Sequence, residues 1–339
     1  METDFALAMN ATKYLEFDRD AVVSKLLSEV PARITGQHTF DRTIESAVEF
    51  GIAISDAHEP QLRDLIKMRN LIGAAAVVRL VHLKGMSVKD ELLQTLVEAR
   101  QDYNYCVNGV ARALRPLATP DDIQKIVGLA DSISDEVASN SDDNVAHGFT
   151  HGAADCISGL DITLVRDAFM PKDRSERLSE VRARVLCNLL RDCHSTDALR
   201  LAGELLVRGV DKAATAIYFI AHFAKPDEAL SWATFSSEHV DRLVSNLSDQ
   251  ENTEWNAHAL KCLCEARPDL REIVKAHAGK APAAAKITLL YCASSGGTEE
   301  IFEALSEFAE MSVEESGRQG EEQRPSDRPL AEYRSDGAL

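Results

Sequence analysis

Two histidines one helical turn apart, His147 and His151, stand in the stretch NVAHGFTHGAADCISGL (144–160), with Asp155 a further turn along. Imidazoles at i and i+4 face the same way on a helix and are able to share one metal ion. Asp155 does not complete that set. Eight residues separate it from His147, about 12 Å along a helix axis, whereas ligand bonds are near 2 Å. A third ligand must come from a neighbouring helix. Glu180 is the candidate, because aligning successive helix junctions puts it level with His147. The spacing is not the His-Glu-x-x-His of zinc proteases, since Gly148 holds the place of the catalytic glutamate. His147, His151 and Glu180 are therefore the metal alternative, set against packing, capping or surface roles, to which the residues give more weight.

Other chemistry is sparse. Cys262 and Cys264 are spaced C-x-C inside one helical segment and point to different sides, without the second cysteine pair of a metal motif. Cys193-His194 places a thiol beside a base, and a chance neighbour explains it better. Trp232 and Trp255 read as core. No Ser-His-Asp set, paired carboxylates or phosphate loop can be picked out. The sequence thus assigns no catalytic residue and no cofactor.

These residues must be held by something, and composition says what. Of 339 residues 45% are apolar but only 6% aromatic, a core of Leu, Ala, Val and Ile that suits packed helices. Ten prolines and seventeen glycines are too few for a loop-rich β chain. The formal charge of −18 opposes phosphate and anionic membranes on average, so a nucleic-acid partner is disfavoured. One stretch, 166–212, is mildly basic, with ten Lys or Arg against eight Asp or Glu. Seven dispersed cysteines suit reduced thiols. The opening METDFALAMN lacks the positive charge of a signal peptide. The longest apolar run, LIGAAAVV, stops at Arg79, short of the roughly 20 residues of a membrane span. The expectation is a cytoplasmic protein with no membrane segment.

Helical periodicity runs through the chain. In SVKDELLQTLVEAR, Ser87 reads as a cap and Leu92, Leu93, Leu96 and Val97 form one stripe. Boundaries then recur: ATPDD at 118–122, AKPDE at 224–228 and ARPDL at 266–270, with HSTDA and GGTEE as variants. Proline suits a first helical turn, acids there face the positive end of the helix dipole, and Thr or Ser caps a free amide. Helix pairs follow: 87–100 with 103–117, 120–137 with 142–159, 162–170 with 177–193, 196–208 with 212–223, 238–247 with 253–265, and 269–278 with 283–294. The second helices recur every 30–41 residues or so, a solenoid period. Aligning Leu117 with Leu160 matches Gly109 to Gly152 and puts Asn104 and Asn108 on His147 and His151. The stretch is a repeat helix first, and its glycines let helices approach closely.

Period, paired helices and Pro-Asp junctions resemble the HEAT and armadillo class of helical repeats. The resemblance implies an all-α fold, an α-solenoid of stacked antiparallel helix pairs forming a HEAT-like superhelix. Residues 1–86 would be a helical cap of atypical repeats, 87–311 the repeats, and 312–339 a polar, disordered tail. It further implies a concave groove lined by second helices, with Asn104, Asn108, His147, His151, Glu180 and Arg184 on its face. The expected function is a scaffold, sensor, adaptor or regulatory subunit that binds a protein or peptide. The alternative is a metal-dependent enzyme using the same groove.

Overall fold

The computed structural model describes residues 54–134, 146–173, 176–210, 212–224, 229–247 and 253–294, with shorter pieces inside 18–28 and 299–309. The proposed tail at 312–339, the junction at 225–228 and most of 1–53 lie outside these residues. Every described element is helical, and among the described residues there is no strand. The chain divides into two compact units, Met1–Phe235 and Ser236–Leu339.

The first unit holds α1 (Glu59–Ile66), α2 (Leu71–Lys84), α3 (Lys89–Glu98) and α4, which starts as a π-helix over Tyr105–Ala111, makes one α-turn at Arg112–Leu114 and ends in a 3-10 turn at Arg115–Leu117. Then come α5 (Pro120–Asp131), α6 (His147–Ile157), α7 (Ile162–Phe169), α8 (Glu180–Leu190), α9 (Thr196–Val207) and α10 (Ala213–Phe223). The second unit holds α11 (Ser237–Asn246), α12 (Thr253–Ala266), α13 (Arg271–Ala278) and α14 (Ala283–Ala293).

The junction chemistry sets these boundaries. Pro120 opens α5 behind Thr119, and Asp122 accepts from the Thr119 amide at 2.7 Å and its hydroxyl at 2.9 Å. Ser195 caps α9 through the Ala198 amide at 3.2 Å. Ser87 is not a cap. It sits in a 3-10 turn, Gly85–Val88, and its hydroxyl donates to the Lys84 carbonyl at 2.8 Å. The chain bends there because Gly85 adopts φ 54°, a conformation open to glycine. Leu71–Glu98 consequently forms one 28-residue helical stretch, long and apolar enough to cross a membrane. Half of its most apolar window is buried against neighbouring helices.

Packing follows two rows in the first unit. α2 lies against α4, α4 against α6, α6 against α8 and α8 against α10. On the other side α3 meets α5, α5 meets α7 and α7 meets α9. In the second unit α11 packs on α13 and α12 on α14. Few large side chains fill the core: Tyr105, Phe149, Phe169 and Phe235 are fully buried among Leu, Ala and Val. Trp232 and Trp255 are half-buried rather than core, Trp232 leaning on Phe235 at 5.0 Å.

Glycines set the helix spacing. A Cβ on Gly109 would stand 2.7 Å from the Ala74 Cα, and one on Gly152 would stand 2.9 Å from Leu96 Cδ2 and 3.0 Å from Cys106 Cβ. Gly128, exposed on α5, has nothing within 4 Å. Gly109→Ala should therefore lower stability by about 1–3 kcal/mol from overpacking. Gly128→Ala should raise it by about 0.5–1 kcal/mol through helix propensity. Urea denaturation of the two variants checks the opposite signs; a Gly109→Ala protein as stable as the parent would show that the α2–α4 contact yields freely.

Candidate functional site

The turn between α3 and α4 fixes the start of α6. Asp102 accepts from the Tyr105 amide at 3.0 Å, and the Arg100 carbonyl accepts from the Phe149 amide at 3.2 Å. Gly148 lies so close that a Cβ there would be 2.8 Å from the Asp102 carbonyl carbon. This seating brings three rings together. Tyr103 stacks on His147 at 5.2 Å, His147 meets His151 edge-on at 4.5 Å, and Tyr103 meets His151 edge-on at 5.2 Å.

His147 is exposed, whereas His151 is half-buried. Burial, then the neighbouring His147, then Arg191 and Lys212 push the His151 imidazole down to about 4. One turn on, Asp155 is pushed above the usual carboxylate range by burial and by Asp192, with Arg115 opposing. Farther across, Arg191 lies over the Phe219 ring at 5.1 Å and His194 faces Phe223 at 6.2 Å. Tyr218 stacks on His222 at 5.2 Å.

The predicted residues fall into three local groups. His147 and His151 meet. The Asn108 amide donates to the Asn104 side-chain oxygen at 3.3 Å. Arg184 donates to Glu180 at 2.8 Å, so that carboxylate already faces a cation on its own helix. Among the described residues no group of three or more His, Cys, Asp or Glu is arranged to hold a metal ion. Tyr103, Arg115, Arg191 and Phe219 were not singled out by spacing. The one available signal for Tyr103 was its place beside Asn104, the residue aligned with His147.

The cysteines behave as small apolar side chains. Burial pushes Cys106 up to about 12, and Cys156 is also raised by burial. Cys193 is raised too, by burial and then Asp192, the reverse of what an activated thiol requires. No family model, no curated protein and no solved structure matches the chain.

Two measurements test this geometry. An unfolded imidazole titrates near 6.5, and His151 is held to about 4. Between those values the unfolded chain binds more protons, so stability should fall as pH drops from about 6.5 to about 4. The fall in melting temperature across that window should be smaller in His151→Gln; equal falls would mean that His151 is not kept neutral by the fold. Mass spectrometry of the purified protein should find no near-stoichiometric zinc or iron. Metal present in the parent and lost in His147→Ala/His151→Ala would establish a metal site built on this pair.

Proposed function

We propose that this chain is a non-catalytic binding module, an α-solenoid of antiparallel helix pairs of the HEAT-like kind, whose row of second helices docks a protein or peptide. Several features support the solenoid reading. Like helices pack on like, α2 through α10 on one side and α3 through α9 on the other. Side-chain links between like helices recur at the period of the pairs: Arg63 with Glu91 at 28 residues, Lys89 with Asp122 at 33, Lys125 with Asp90 at 35 and Arg166 with Glu204 at 38. In the second unit His277 pairs with Asp241 at a separation of 36. Each helix pair buries its apolar face only by stacking on the next, which leaves a continuous side-chain surface on each row.

The observation that carries the binding role is the surface of α4, α6, α8 and α10. It presents the Tyr103, His147 and His151 rings, the Asn104–Asn108 and Glu180–Arg184 pairs, and Arg191 on Phe219. Exposed aromatics and arginines are the residue types enriched at protein interfaces. Seven free cysteines fit a cytoplasmic setting.

A photo-reactive benzoylphenylalanine at position 108 tests the role, with the exposed Gln124 on α5 as the control position. Irradiation in the native cell extract should give a discrete cross-linked partner from position 108 and none from 124. The same pattern at both positions would remove this face as the docking site.

A further inference from the structure

Cations on both rows meet carboxylates, and on the second-helix row Lys84 pairs with Glu59 and Asp56, Arg182 with Asp131 and Arg184 with Glu180. Along the first-helix row Arg63 is neutralised by Glu91 and Glu59, Lys89 by Asp122, Lys125 by Asp90 and Arg166 by Glu204. Along the second-helix row, Arg112, Arg115, Arg191 and Lys212 are all exposed. None of these four forms an ion pair among the described residues. Arg112 continues the Asn104–Asn108 line by one turn of α4. Arg115 acts on Asp155, and Arg191 and Lys212 act on His151, so these three charges are set around α6. On the same row Tyr103, 39% exposed, lies against the His147 and His151 rings, and Phe223, 53% exposed, faces His194. In a chain of net charge −18 with 55 acidic side chains, four exposed cations without an ion pair on one row give that surface a local positive character, even with Asp155 and Asp192 among them.

We infer that this surface binds an acidic peptide segment of a protein partner, one that carries several carboxylates around an aromatic or aliphatic side chain. The inference rests on the binding role proposed above and specifies the partner's chemistry. The partner's carboxylates complete ion pairs with Arg112, Arg115, Arg191 and Lys212, and its apolar side chain covers Tyr103 or Phe223. A carboxylate next to the planar guanidinium of Arg191 keeps the cation's other face on Phe219. A nucleic-acid strand fits less well. Its backbone brings a negative charge every few ångströms, and Asp155 and Asp192 are set among the cations. A peptide places its carboxylates at intervals and avoids them.

Fluorescence anisotropy on the full chain tests this with fluorescein-labelled peptides of about fifteen residues, each with one Phe in a Gly-Ser chain and with none, few or many Asp and Glu. Affinity should rise with carboxylate number, weaken as salt shortens the reach of the charges, and fall about tenfold or more in Arg112→Glu/Arg115→Glu/Arg191→Glu. Lys67→Glu, whose partner Asp64 lies on its own helix, should leave binding unchanged. Circular dichroism and melting establish that the triple variant folds, and the salt titration reads the same charges in the unaltered protein. Binding that ignores carboxylate number, or no binding by any peptide, overturns the acidic-partner inference. Tighter binding of an oligothymidylate than of the most acidic peptide overturns it too and assigns the surface to single strands. The cross-linker at position 108 reads the surface regardless of charge. Cross-linking that persists while the acidic peptides fail sinks the charge inference alone; loss of both sinks the docking role.

Discussion

The approach of α4 to α2, backbone against backbone at Gly109 and Ala74, is the constraint on which the first unit's arrangement depends. Gly152 repeats the device one helix on, against Leu96 and Cys106, and Gly148 repeats it against Asp102. Contacts this short leave no slack for sliding or rotation, because dense interiors resist even one added methylene. They fix where α6 begins. The position of α6 in turn decides that His147 and His151 meet Tyr103 rather than each other alone. The low aromatic content has the same origin: helices this close are separated by Gly, Ala and Cys, and large rings fit at only a few places.

Charge is distributed according to the same layering. Asp122 closes the cap of α5 through Thr119 and also accepts from Lys89 at 2.7 Å, with Lys89 and Asp122 only 6% and 2% exposed. Desolvating such a pair is costly, and the multiple hydrogen bonds to one carboxylate are what offset it. Burial and the Lys89 and Thr119 bonds act in opposite directions, and the net effect holds Asp122 below the usual carboxylate range. On the other row Arg182 and Arg184 are paired with Asp131 and Glu180, while among the described residues Arg112, Arg115 and Arg191 form no ion pair.

Helix boundaries were largely legible because they rest on local chemistry. Pro120 after Thr119, and Ser195 before Asp197, fix their amides whatever surrounds them. The Gly85 bend was not legible, since Ser87 before an acidic turn resembles a cap equally well, and only the continuity of α2 into α3 decides the matter. Repeat alignment placed His147, Glu180 and Asn104 at equivalent levels on successive helices. Equivalent levels are not contacts. Glu180 turns to Arg184 four residues along its own helix, and His147 turns to Tyr103, one position off the aligned residue. Lateral neighbours depend on helix rotation and spacing, which the glycine contacts set and a one-dimensional alignment does not encode. The same holds for Arg191, which lies past the end of α8 and meets Phe219 on α10.

His151 and Cys193 on this face are shifted away from the states that acid–base and thiol chemistry use. A general base works best with a pKa near the operating pH, and His151 is displaced to about 4. A nucleophilic thiol needs its anion favoured, and Cys193 is shifted the other way. Asp155 is raised by burial and by Asp192, in the direction of an acid–base role, with Arg115 opposing the shift. What remains at neutral pH is a neutral imidazole, fixed guanidinium and ammonium charges, and exposed rings. Such groups can discriminate between partners by charge and shape without changing protonation state, which is what the docking role proposed above would need.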